Sequence, residues 1–149
     1  MQKLQDILWV LGANVFENDA ASDWMALFDR LGFLAVTTPL AEIAEYSDLG
    51  KPIPAETEQT FWAKCEVVAI AGGFPTPPSI DDHKLAIRRD AGKILKIPNL
   101  RQRIMVALER LDASETELKT LWTSAGEGGD FEADCKRLRD SVLQVLAQQ

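Results

Sequence analysis

The segment FENDAASDW, residues 16–24, gathers Glu17, Asn18, Asp19 and Asp23 just ahead of Trp24. If a helix begins near Asn18, then Asp19 and Asp23 stand one turn apart on the same side, close enough to share a ligand. Two carboxylates and an amide oxygen are hard donors that suit magnesium or calcium. The same residues also suit a helix start. Asn and Asp cap orphan N–H groups, and acids in the first turn meet the positive end of the helix dipole, each contributing roughly 0.3–1 kcal/mol. No EF-hand loop or other complete ligand set surrounds the cluster, so capping accounts for Asn18 and Asp19 with fewer assumptions. Asp23 lies past the cap and is not explained by it. Metal ligation by Asn18, Asp19 and Asp23, with or without Glu66, is the competing reading.

Glu66 lies midway along the most apolar segment, between Cys65 and Val67, with Trp62 and Ile70 a turn to either side. A carboxylate placed there must reach an edge of the fold or pair with a base, because isolated burial is costly. Burial would raise its pKa, the usual preparation for acid–base work. A bond to backbone amides or to an arginine that orients two helices is the simpler role. His83, in DDHK, is the sole histidine. Nothing around Ser79 resembles a nucleophile elbow, so His83 reads as an exposed helix residue rather than a triad member. Cys65 and Cys135 fall at apolar helix positions and read as reduced core residues, and without a CxxC or Cys/His cluster no structural zinc is expected. Trp9, Trp24, Trp62 and Trp122 all lie on or beside apolar stripes. Neither AGG (71–73) nor GEGG (126–129) follows a strand, so neither is a phosphate loop.

The elements that must position these residues are helical almost throughout. Leu4, Ile7, Leu8 and Leu11 suggest a first helix ending at Gly12. Ala20, Trp24, Leu27, Phe28 and Leu31 make a clean stripe ended by Gly32. FLAVTTP (33–39) is compatible with one short strand, though a lone strand has no partner. Thr38-Pro39 caps and opens a short helix through Tyr46. After the KPIP break comes a helix over 56–71 that is apolar around a wide arc and therefore belongs near the centre. Beyond the stiff FPTPP loop, Ser79 caps a helix whose stripe is Ile80, Ile87, Ala91 and Ile94. Leu100, Ile104, Ala107, Leu108 and Leu111 give the next. Ser114 and Glu117 form a capping box ahead of Leu118, Leu121 and Trp122. Phe131, Cys135, Leu138, Val142 and Leu146 mark the last helix. The expected fold class is all-α, a single compact multi-helix bundle of about seven helices in one domain over residues 1–149.

A chain of 149 residues is long enough to bury roughly two-thirds of its extended surface. The net charge of −7 argues against general nucleic-acid affinity. Its distribution is uneven: residues 1–75 carry 4 Lys and Arg against 11 Asp and Glu, whereas 84–110 carry 8 against 2. An acidic front half packing on a basic middle segment is the simple reading. A basic surface for an anion or nucleic acid, running from Lys84 to Arg110, is the sharper one. The apolar run ILWVLGANVF has Asp6 ahead of it and an acidic cluster behind it, unlike a signal peptide, and no stretch approaches the ~20 residues of a membrane span. A cytoplasmic location is expected.

Three stretches in order, LGANVFENDAASDW (11–24), AKCEVVAIAGGFP (63–75) and SETELKTLW (114–122), together resemble the uncharacterised, mainly bacterial family catalogued as domain of unknown function 4259. Members open with Trp-Gly-x-Gly-x-Phe, an acid, Asn, Asp and an Ala/Asp/Trp helix. Here Leu11 stands at the tryptophan and Asn14 at the second glycine, and Asn tolerates the left-handed turn better than most residues. The resemblance implies the helical architecture and marks Phe16, Asn18, Asp19, Asp23, Trp24 and Glu66. It brings no reaction, cofactor or catalytic residue.

These observations favour a small, non-enzymatic protein-binding module without a cofactor, one version being a neutraliser of a toxin or cationic enzyme. Its expected partner is another protein, and self-association is compatible with the sequence. A metal-assisted hydrolase or ligand-binding enzyme using Asn18, Asp19, Asp23 and Glu66 is the alternative, and anion or nucleic-acid binding through 84–110 the second.

Overall fold

Twelve of the thirteen residues from Glu58 to Ile70 of one helix, all but Thr60, are buried, so this helix can only sit at the centre. The computed structural model describes residues 19–37, 42–125 and 129–148, with the side chains of Ser79 and of 122–131 outside the description. Within them the order is α1 (Asp19–Leu31), the single turn α2 (Leu34–Thr37), α3 (Glu42–Asp48), α4 (Ala55–Ala71), a 3₁₀ stretch (Pro78–His83), α5 (Lys84–Leu95), α6 (Leu100–Ala113), α7 (Glu117–Ala125) and α8 (Gly129–Ala147). The chain is an all-α bundle. Helix α4 is its axis and packs chiefly against α5, α8 and α1, while α3 packs on α6. No helix among the described residues is long and apolar enough to cross a membrane.

Most stripe residues enter the core as their spacing predicts, whereas Leu31, at the end of α1, is exposed. Trp24 and Phe28 of α1, Ile87 and Ile94 of α5, Ile104, Leu108 and Leu111 of α6, and Leu138, Val142 and Leu146 of α8 enter one core. Cys65 and Cys135 are buried free thiols within it. Helix α1 stops at Gly32, whose φ of +60° suits glycine. A Cβ there would run into Asp90 Oδ2, and that same oxygen accepts the Phe33 N–H at 3.0 Å. At the far end of α4, a Cβ on Gly72 would meet the Val145 side chain, so the glycine lets α4 end close against α8.

Several local expectations are corrected. Residues 34–37 form a helical turn, not a strand, because Gly32 and Phe33 redirect α1 and their carbonyls accept the N–H groups of Ala35 and Val36. The helix expected to start at Ser79 starts at Lys84 instead. The 3₁₀ stretch precedes it, kinked at Ile80 (φ −126°, ψ 23°) so that this side chain still reaches the core. The Ser114–Glu117 capping box does not form. Thr116 Oγ1 accepts the Lys119 N–H at 3.1 Å and is the real cap, while Ser114 bonds Ser47. Glu117 reaches instead to the Ala55 N–H, 2.9 Å away, and caps the start of α4 across 62 positions. An isolated parallel bridge between Ile53 and Thr116 holds the two helix starts together. The first helix, the Thr38-Pro39 start and Trp9 lie outside the described residues, as does the side chain of Trp122.

Candidate functional site

An open cleft of about 870 Å³ lies where α1, α2, α3, α4 and α6 meet. The outer face of α1 contributes Asp19 and Asp23, both exposed, and their one-turn spacing puts them on the same wall. Helix α3 adds Glu42 and Glu45, and the first turn of α4 adds Glu56, with Thr57 and Thr60 beside it. The cation on this lining is Arg103 of α6, which donates from Nη2 to the Thr37 carbonyl at 2.9 Å. That bond satisfies an orphan carbonyl at the end of α2. Five carboxylates against one guanidinium leave a formal charge of −4.

Trp24 and Leu27 supply the apolar part of the wall. The Trp24 indole N–H donates to the Ala35 carbonyl at 3.2 Å, which fixes the ring between α1 and α2. Behind that ring stands Lys64, only 1 % exposed, with Nζ 6.0 Å from the ring centroid. Burial pulls its amine down to about 7, the charge of Glu42 opposing and that of Arg103 reinforcing the shift. Sequence reasoning singled out Glu66 on α4 and passed over Lys64, although both carried the same signal, a charged residue in the apolar arc.

Glu66 is not part of this cleft. At 100° per residue it projects about 200° around α4 from Lys64, and the Arg137 guanidinium of α8 reaches both its oxygens, at 3.2 and 3.3 Å. Arg137 also bonds Asp134 at 2.9 Å. Burial still pushes the Glu66 carboxyl up, against the pull of Arg137. The cleft thus brings together Asp19, Asp23 and Trp24, separates them from Glu66, and adds Glu42, Glu45, Glu56 and Arg103, with Lys64 buried behind its Trp24 wall. Phe16 and Asn18 lie outside the described residues.

Elsewhere, His83 is half-buried rather than exposed, and its Nδ1 stands 2.9 Å from Asp29 Oδ1, tying the 3₁₀ stretch to α1. Burial holds the Cys65 and Cys135 thiols protonated, which removes them as thiolate nucleophiles. Glu58 is buried with Oε2 accepting the Trp62 indole N–H at 3.0 Å, while Oε1 has no hydrogen-bond partner among the described residues. Burial raises its pKa, against the Trp62 and Thr116 hydrogen-bonding groups and the Lys119 charge. No group of three or more His, Cys, Asp or Glu among the described residues is placed to hold a metal. The basic segment spends part of its charge internally, Arg103 on the cleft and Arg110 on Asp48.

The helical architecture and the placement of Asp19, Asp23 and Trp24 on one wall meet a family assignment. The model of the family described as Domain of unknown function (DUF4259) matches residues 10–134, and the chain belongs to that family. Comparison with curated proteins and with solved structures returns no match.

Proposed function

We propose that the protein is a non-enzymatic binding module that receives a cationic segment of another protein in the acidic cleft. The observation behind this reading is the convergence of five carboxylates from three helices on one open cavity. Such a cleft, with an apolar wall at Trp24 and Leu27, focuses field lines and speeds the arrival of Lys- or Arg-rich segments. A neutraliser of a toxin or of a cationic enzyme is the concrete version that fits an acidic front half. The same wall keeps a divalent cation at Asp19 and Asp23 as the rival occupant.

Calorimetric titration with a capped hexa-arginine peptide tests the reading. Binding is expected at low salt, weakening at moderate salt, and falling at least about tenfold when Asp23→Asn and Glu56→Gln are combined. Binding that survives the double substitution unchanged would count against the cleft. A magnesium-dependent thermal shift lost in Asp19→Asn and Asp23→Asn would favour the divalent ion instead.

A further inference from the structure

Lys64 occupies an unusual position for a lysine, in the middle of the central helix and sealed behind the cleft wall. Trp24 and Glu42 touch both worlds: each lines the cleft, the first carries the Lys64 ammonium near its ring, and the second attracts it. A cation arriving in the cleft therefore enters an acidic field that a buried cation already shares. Arg103, on the cleft lining from α6, repels Lys64 and cannot yield, since a guanidinium stays charged. Cys65, the neighbour on α4, is held neutral by burial. Asp19 and Asp23 from α1, Glu45 from α3 and Glu56 from α4 carry the rest of the cleft's charge.

We infer that the cleft is proton-linked through Lys64: a cation binding there expels the proton of the Lys64 ammonium to solvent, and loss of that proton tightens cation binding. The inference rests on the cleft being a cation site and adds to it a regulation by pH. Lys64 is the group that can yield, because burial has already moved its amine to about 7, from an ordinary 10.5. Below that point the ammonium neutralises one carboxylate from behind the wall. Above it the cleft gains one unit of negative charge without any change in its lining. Linkage is reciprocal, so the two effects are one coupling read from either side.

The hexa-arginine peptide suits the test, because its side chains do not titrate in this range. Calorimetry is run between about pH 6 and pH 8.5 at low salt, in buffers of different ionisation enthalpy. The expected result is a tightening of about three- to tenfold, the effect of one unit charge across a partly screened gap, with fractional proton release largest near neutral pH. Lys64→Met should bind at the acid end as tightly as the wild type does at the alkaline end, with no proton release. Wild-type binding that is flat with pH and releases no proton overturns the linkage while leaving the cleft reading intact. A slope that persists in Lys64→Met also overturns it. Absence of peptide binding at every pH overturns both readings. The buffer series on the wild type decides the matter without any variant.

Discussion

Glu66 and Arg137 show what a buried charge needs in this protein. The carboxylate is 1 % exposed and the guanidinium 46 % exposed, so the pair is anchored at one end and solvated at the other. Arg137→Met leaves the carboxylate buried without its base and is expected to destabilise the fold by roughly 1–3 kcal/mol in urea denaturation, the half-exposed arginine keeping the loss below that of a fully buried pair. The defect should shrink as pH falls. Arg137 holds the Glu66 carboxyl down against burial, so its removal lets the folded state take up the proton more readily and recover stability in acid. Adding Glu66→Gln to Arg137→Met should restore part of the loss at neutral pH. A pH-independent defect would mean that Arg137 acts through packing of its stem alone. The need for a partner at Glu66 was legible in the sequence. The partner was not, because it lies 71 positions away.

At the scale of elements, the helix ends were legible where glycine marks them and misread where a distant residue supplies the cap. Gly32 stood out as the stop of α1, yet nothing local indicates that Asp90 of α5 fills the space beside it. Gly32→Ala meets two obstacles, a left-handed backbone and the carboxylate of Asp90, so a loss of about 2–3 kcal/mol is expected in thermal or urea unfolding. Asp90→Ala combined with Gly32→Ala should cost less than the sum of the two single losses, because the clash needs both side chains. Additive losses would place the whole effect in the backbone. The capping box failed for the same physical reason. Ser114 and Glu117 have the right spacing, but the Ile53–Thr116 bridge moves the start of α7 by two residues and frees Glu117 for the first turn of α4. Non-local backbone pairing of this kind leaves no periodic trace. The cleft was half legible: Asp19 and Asp23 announced themselves by spacing, whereas Glu42, Glu45 and Glu56 joined them only through the packing of α3 and α4 on α1, hinted at by the acidic excess of the front half.

At the scale of the whole molecule, three of the buried charged side chains among the described residues, Lys64, Glu58 and Glu66, have their titration displaced by burial and set an uncommon dependence of stability on pH. Lys64 has a folded value of about 7 against 10.5 when unfolded. In that window the unfolded chain binds a proton that the folded chain does not, so this group's contribution to stability is complete above 10.5 and is lost as pH falls toward about 7. Glu58 and Glu66 are shifted the other way, up from 4.5. Their contribution is complete below 4.5 and is lost as pH rises through their folded values. The Lys64 contribution is therefore least favourable at and below about 7, and those of Glu58 and Glu66 once pH has risen past their raised folded values. Urea midpoints measured across the range should fall as pH rises out of the acid region and climb again on the alkaline side, with the alkaline limb reaching on the order of 3–5 kcal/mol over its full window. Lys64→Met should raise stability at neutral pH and flatten the alkaline limb while leaving the acid limb alone. Glu58→Gln keeps an acceptor for the Trp62 N–H and should flatten part of the acid limb. An alkaline limb unchanged in Lys64→Met would mean that the buried amine keeps its proton well above neutrality. The central helix would then carry a permanent ammonium behind the cleft, with no proton to exchange against an incoming cation.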